Sequence, residues 1–177
     1  GLTQSASSSG TVTLKWNESK NADMYAVYKY NSKTKKYSKI KTTEKTSLKI
    51  SQKAGSSVYY RVYAATKTEW GYVYSAVSSA ILATAGPGKV TAKLENVGTG
   101  KVKISWRKVS GATDYQIFRK TSDGYVKVAT VKAKYGSFTN ISLKSKKEYT
   151  YRVRAIIQKN NLTAYGSYSD KLTIKTK

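Results

Sequence analysis

Trp70 is the side chain of this sequence best suited to meet something outside its own chain. It sits in Lys67-Thr68-Glu69-Trp70-Gly71, a polar loop by composition, with Tyr72 close behind. An indole with a nearby phenol is a common stacking surface for a sugar ring or a partner protein. The structural alternative is a Trp70 folded back over its own sheet or packed on a neighbouring domain. Tyr28, Tyr30, Tyr59 and Tyr63 lie on alternate positions of two β-rich stretches. They share an outer sheet face, where Tyr28 and Tyr63 could extend a ligand platform with Trp70 and Tyr72, or could pair across strands to stabilise the sheet.

The second candidate chemistry is electrostatic. The 177 residues carry 33 Lys+Arg against 9 Asp+Glu, a formal +24. Loop clusters at Lys33, Lys35 and Lys36, at Lys132 and Lys134, and at Lys144, Lys146 and Lys147 are candidate contacts for a polyanion, whether anionic wall polymer, acidic glycan or nucleic acid. Only 5 of the 33 are Arg, and the charge is spread over both halves of the chain. A sequence-specific nucleic-acid reader concentrates Arg in one stripe for bidentate base contacts, so that class is excluded. Lysine on outer strand faces also keeps open sheet edges from pairing with other chains.

Bond-making chemistry finds no residue set. The chain has no Cys and no His, which removes thiolate nucleophiles, imidazole bases and the usual zinc ligands together. Acids such as Glu18, Glu69 and Glu148 lack the partner a two-carboxylate mechanism needs. No enzyme activity, cofactor or metal is expected. Three Asn-x-Ser/Thr triplets, at Asn17, Asn140 and Asn161, are at the frequency chance gives in so polar a chain. No apolar run is long enough to span a bilayer as a helix. The start, Gly1-Leu2-Thr3-Gln4, does not resemble a signal peptide, so the chain reads as part of a longer mature protein.

The elements that must position these residues are strands. After a polar lead, Thr11-Val12-Thr13-Leu14-Lys15-Trp16 alternates with period two, which puts Val12, Leu14 and Trp16 on one face. Tyr25 and Val27 alternate inward along the next strand. Short strands are expected at 37–41 and 47–50. The run from Ser57 to Thr66 places Val58, Tyr60, Val62 and Ala64 opposite Tyr59, Arg61 and Tyr63, and a last strand is expected from about Tyr72 to Leu82. Trp16 and Trp106 both fall on apolar strand faces and read as core.

The whole pattern recurs. Trp106 follows Trp16 by ninety positions and Tyr115 follows Tyr25 by the same interval. Ala85-Gly86-Pro87-Gly88 holds the single Pro and marks the boundary, giving domains at 1–86 and 87–177 whose short linker allows contact or a limited tilt. By count the halves carry 13 basic and 4 acidic, and 20 basic and 5 acidic, side chains.

Trp106, Gly111-Ala112-Thr113-Asp114-Tyr115-Gln116-Ile117, Leu143 and the run Tyr149 to Ala155 together resemble the fibronectin type III domain, in particular the copies in secreted and cell-wall proteins of Gram-positive bacteria. The resemblance covers 90–177 and, more loosely, 2–85. It implies an all-β fold of two tandem seven-stranded immunoglobulin-like sandwiches, with Leu143 and Tyr149 forming a tyrosine corner. The first repeat departs from it, with Gln52 and Val58 at those positions, so its corner must close in another way. The implied role is a non-catalytic spacer and adhesion module, monomeric, at the cell surface, in the wall or secreted. Its expected partners are an anionic wall polymer, a glycan or a host protein. The alternative is a dedicated glycan- or protein-binding module using Trp70 and the Tyr-rich face.

Overall fold

A computed structural model describes residues 1–159 and 162–177; Asn161, of the third Asn-x-Ser/Thr triplet, lies outside the described residues. Strands β1 (Thr3–Ser8), β2 (Thr11–Lys15) and β5 (Ser47–Ser51) form one sheet in the order β1-β2-β5. Facing it are β4 (Lys36–Thr43), β3 (Met24–Asn31), β6 (Ser57–Thr68) and β7 (Gly71–Tyr74) in that order, with β8 (Ile81–Thr84) also paired to β6. The second half repeats the plan. A sheet of β9 (Ala92–Gly98), β10 (Lys101–Trp106) and β13 (Ser137–Asn140) faces one of β11 (Asp114–Thr121), β12 (Gly124–Lys132), β14 (Glu148–Lys159), β15 (Leu162–Tyr168) and β16 (Leu172–Lys175). Among the described residues every ladder is antiparallel apart from one isolated parallel bridge, Ser9 to Gly86. None of the described residues is helical, so no helix is available to cross a membrane.

The alternation read from the sequence decides which faces meet. Val12, Leu14, Trp16, Tyr25, Val27, Tyr60 and Val62 are buried together in one core. Val102, Ile104, Trp106, Tyr115, Ile117, Tyr151 and Val153 form the other. In each core the indole meets a tyrosine ring, Trp16 on Tyr25 at 5.6 Å and Trp106 on Tyr115 at 5.0 Å. Both phenols accept from the loop between the two strands, Tyr25 from Ser19 N–H at 2.9 Å and Tyr115 from Val109 N–H at 2.7 Å. A ring can therefore fill the gap between thin sheets while its polar tip stays bonded.

Three expectations need correction. The polar lead is a strand: β1 pairs with β2, and Gln4 bonds both the N–H and the C=O of Thr84, at 2.8 and 2.9 Å. An edge strand facing solvent on one side needs few apolar residues, so periodicity does not reveal it. The loop at 67–71 shrinks to a turn at Glu69-Trp70, because β6 runs to Thr68 and β7 begins at Gly71. The last strand of each sandwich is broken into two segments, which gives eight segments on a seven-strand plan. At the breaks, serine hydroxyls accept from the neighbouring strand: Ser75 from Ala64 N–H, Ser78 from Val62 N–H and Ser169 from Val153 N–H. The ladder is thus satisfied where the strand shifts register.

The corner of the second sandwich is closed as expected, with the Tyr149 hydroxyl accepting from Lys144 N–H at 3.0 Å while Leu143 is buried beneath it. Tyr149→Phe should lower the stability of that sandwich by about 0.5–1.5 kcal/mol, read by chemical denaturation. Unchanged unfolding would show that the bond contributes nothing. In the first sandwich Gln52 closes the corner instead. Its Nε2 donates to Ser56 C=O at 2.6 Å and to Ala83 C=O at 3.2 Å, and its Oε1 accepts from the Tyr60 hydroxyl at 2.9 Å.

The two sandwiches meet at 85–88. Gly86 is held in the first by its N–H to Ser8 C=O and by Gly55 N–H to its own C=O. The backbone of Tyr165, in the second, lies so close against Gly86 that a Cβ there would overlap the Tyr165 carbonyl. A Cβ on Gly166 would come within 2.7 Å of Pro87 O. The backbones touch directly because neither glycine has a side chain to hold them apart.

Candidate functional site

Trp70 lies at the tip of the β6–β7 hairpin and is 94% exposed, so it neither folds back over its sheet nor packs on the second sandwich. The hairpin register explains why. Thr68 pairs with Gly71, and the Thr68 hydroxyl donates to Gly71 C=O at 2.9 Å, closing a two-residue turn whose second residue is Trp70. Gly71, the first residue after the turn, has φ 120°, a backbone conformation that favours glycine. No inward-facing position is left for the indole.

The tyrosines form a continuous row on the outer face of the five-stranded sheet. Tyr28 and Tyr63 pack edge to face at 5.0 Å, and Tyr63 meets Tyr74 at 6.3 Å. Tyr72 is two residues before Tyr74 on β7, so it shares that face, towards the Trp70 turn. Tyr28 and Tyr63 are half-buried, whereas Tyr72 and Tyr74 are exposed. Tyr74 is the member that the sequence reading missed; its signal was the spacing from Tyr72. A second group, Tyr30 with Tyr37 and Tyr59, lies at 5.2 and 6.4 Å, with the Arg61 guanidinium 4.5 Å over Tyr37. Cross-strand pairing is therefore present along with the exposed end.

The corresponding face of the second sandwich is filled by its own cations. Arg152 lies between Tyr125 and Tyr168, at 3.9 and 3.8 Å, and Arg154 sits 4.2 Å over Tyr165 while its Nε donates to Gln116. These guanidiniums read as surface charge in the sequence, but stacking commits them to neighbouring rings.

The loop lysines are exposed at all eight positions. Lys33 and Lys35 occupy the β3–β4 turn and Lys36 opens β4. Lys132 ends β12 and pairs with the buried Asp114 at 2.9 Å, so a carboxylate already answers its charge. Lys134 lies 5.0 Å over the Tyr135 ring and Lys147 5.9 Å over Tyr149. Lys144, Lys146 and Lys147 share the loop before β14. The structure does not gather these clusters into one stripe with the Trp70 tip. Asn140, one of the triplet positions, uses its amide on the Tyr151 hydroxyl at 2.9 Å.

A chain that keeps only Trp70 as its tryptophan should be strongly quenched by acrylamide. Trp70→Ala should leave the melting temperature within about 1 °C, since an exposed turn side chain contributes little to stability. A shielded indole, or a clear loss of stability, would assign Trp70 to packing.

The fold is that of solved tandem fibronectin type III structures. The FN1-FN3 domains of chicken CNTN1 superpose with a TM-score of 0.55 at 17% identity, over 100% of this chain and 66% of that one. A two fibronectin type-III domain segment from chicken tenascin gives 0.50 at 14% identity, over 99% of this chain and 98% of that one. The chain thus spans just under two thirds of the CNTN1 fragment and nearly all of the tenascin one. No protein-family model and no curated protein matches the sequence. At these identities the likeness concerns the fold.

Proposed function

We propose that this pair of sandwiches, divided at 1–86 and 87–177, is a monomeric, non-catalytic spacer and adhesion module of a larger bacterial protein. Its place is outside the cell, secreted, at the surface or in the wall. Its lysines add weak association with anionic polymers. The observation that supports the spacer reading best is the joint, where buried backbone from Ala85 to Pro87 sits directly against the second sandwich. A pair joined in this way holds whatever flanks it at a set separation, which a flexible linker cannot do.

Lys33, Lys35, Lys36, Lys134, Lys144, Lys146 and Lys147 are the proposed polymer contacts, with Lys132 contributing least because of Asp114. Association with wall polymer, DNA or heparin should be weak and indifferent to sequence. It should also fade as salt rises, since solvated charges are screened beyond about 8 Å at physiological ionic strength. Titration of the intact chain at low and high salt checks this; no binding at low salt would remove the polymer role.

A second reading is favoured by one observation, the 94% exposure of Trp70 at the end of the tyrosine row. There the protein is a binding module for a glycan or partner protein through Trp70, Tyr72, Tyr28 and Tyr63. A ligand bound in this way keeps most of its affinity at high salt and loses it in Trp70→Ala, and such a result would displace the spacer reading.

A further inference from the structure

We infer that the groove between β4 and β5 of the first sandwich receives an extended acidic peptide, which adds to the sheet edge as a further strand. Both strands are edges: β4 is laddered only to β3, and β5 only to β2, among the described residues. Between them lie two adjoining hollows. One, of about 360 Å³, is floored by Ile40, Leu48 and Ile50 and edged by Lys29, Lys41 and Lys49. The other, of about 540 Å³, shares Lys29 and Ile40 and adds Val58 and Lys33. No carboxylate lines either one.

Three features of this groove each demand a property of its occupant. Its unpaired strand edges offer backbone N–H and C=O groups, which only another backbone can satisfy as a ladder. The apolar floor requires apolar side chains on one face of that strand. The lysine rim requires carboxylates on the other positions. A peptide alternating acidic and apolar residues meets all three, whereas an anionic polysaccharide meets only the last.

The groove belongs to the first sandwich. Ile40 falls at the bulge between Lys39 and Lys41, and is 40% exposed. Val128, at the equivalent bulge of β12, packs against the second core. Where Ile50 pairs with Val12, the second sandwich pairs Asn140 with Val102 and turns its amide to Tyr151. The floor position of Ile50 is therefore polar and internally bonded in the second sandwich, and Val128 and Phe138, in the places of Ile40 and Leu48, pack against its core.

The test uses the intact chain and a fluorescein-labelled peptide of about eight residues alternating Glu and Val. Controls are a peptide of the same composition with its Glu and Val in separate blocks, and polyglutamate. By fluorescence anisotropy the alternating peptide should bind at least about tenfold more tightly than either control, and should retain binding at high salt. Ile40→Glu and Lys49→Glu, both at exposed positions, should each weaken it at least about tenfold while leaving the melting temperature unchanged. Slower amide exchange along β5 should accompany binding. Equal binding of the controls would reduce the groove to a lysine field, and no binding, or binding indifferent to Ile40→Glu, would overturn the inference. None of these outcomes bears on the spacer reading, which rests on the joint.

Discussion

Gln52→Leu is expected to destabilise the first sandwich by about 1–3 kcal/mol, a large effect for a substitution of similar volume that adds apolar surface. The reason is what it leaves behind. Gln52 is 8% exposed and Tyr60 is fully buried. Removing the amide strands the Tyr60 hydroxyl and takes the side-chain donor from the carbonyls of Ser56 and Ala83. Stranding the buried hydroxyl costs about 1–3 kcal/mol, the Ser56 carbonyl keeps the Ala85 N–H, and the better transfer of Leu offsets part of the loss. Chemical denaturation of the intact chain should show the first sandwich unfolding earlier and the second unmoved. A loss below about 0.5 kcal/mol would mean that Gln52 does not close the corner.

The same pair gives a signature at high pH. Burial pushes the Tyr60 hydroxyl from 10.0 up to about 12. The folded state therefore keeps a proton that the unfolded chain gives up first. Stability from that retained proton is complete below pH 10 and is lost as pH rises towards about 12. Tyr60→Phe has no such proton to lose, so its deficit relative to the parent chain should narrow across that window. A constant difference would contradict the assignment.

Gly86→Ala should open the joint. The added methyl overlaps the Tyr165 carbonyl and comes within 2.9 Å of the Ser8 backbone in its own sandwich, and because these partners are backbone no rotamer change relieves the contacts. Gly166→Ser is a gentler route to the same end. Ser75 occupies the corresponding place in the first sandwich, so the fold accommodates a serine there, yet a Cβ on Gly166 comes within 2.7 Å of Pro87 O. Both variants should keep two folded cores but lose their common orientation. Residual dipolar couplings should fit one alignment tensor in the parent chain and two in each variant. A single tensor in both variants would show that the glycines do not set the joint.

What sequence alone determined is whatever depends on near neighbours along the chain. Alternation of Val12, Leu14 and Trp16 fixes the buried face of β2, because a strand turns successive side chains to opposite sides. The ninety-residue return of Trp and Tyr gave two cores of one plan, and Leu143 with Tyr149 gave the corner of the second. The polar composition of 67–71 placed Trp70 in a loop.

Tertiary structure decided what depends on residues far apart in the chain. β1 carries little apolar signal because an edge strand gains its place from β2 and Thr84 rather than from its own periodicity. Gln52 looks like a loop residue until Tyr60 and Ala83 come beside it. Arg152 counts as free charge until Tyr125 and Tyr168 close on both its faces. Tyr74 enters the aromatic row only through Tyr63 on the adjacent strand. A glycine in a linker suggests flexibility, but Gly86 instead permits a backbone contact that holds two domains together. Periodicity records which way a side chain points, and packing alone determines what it then meets.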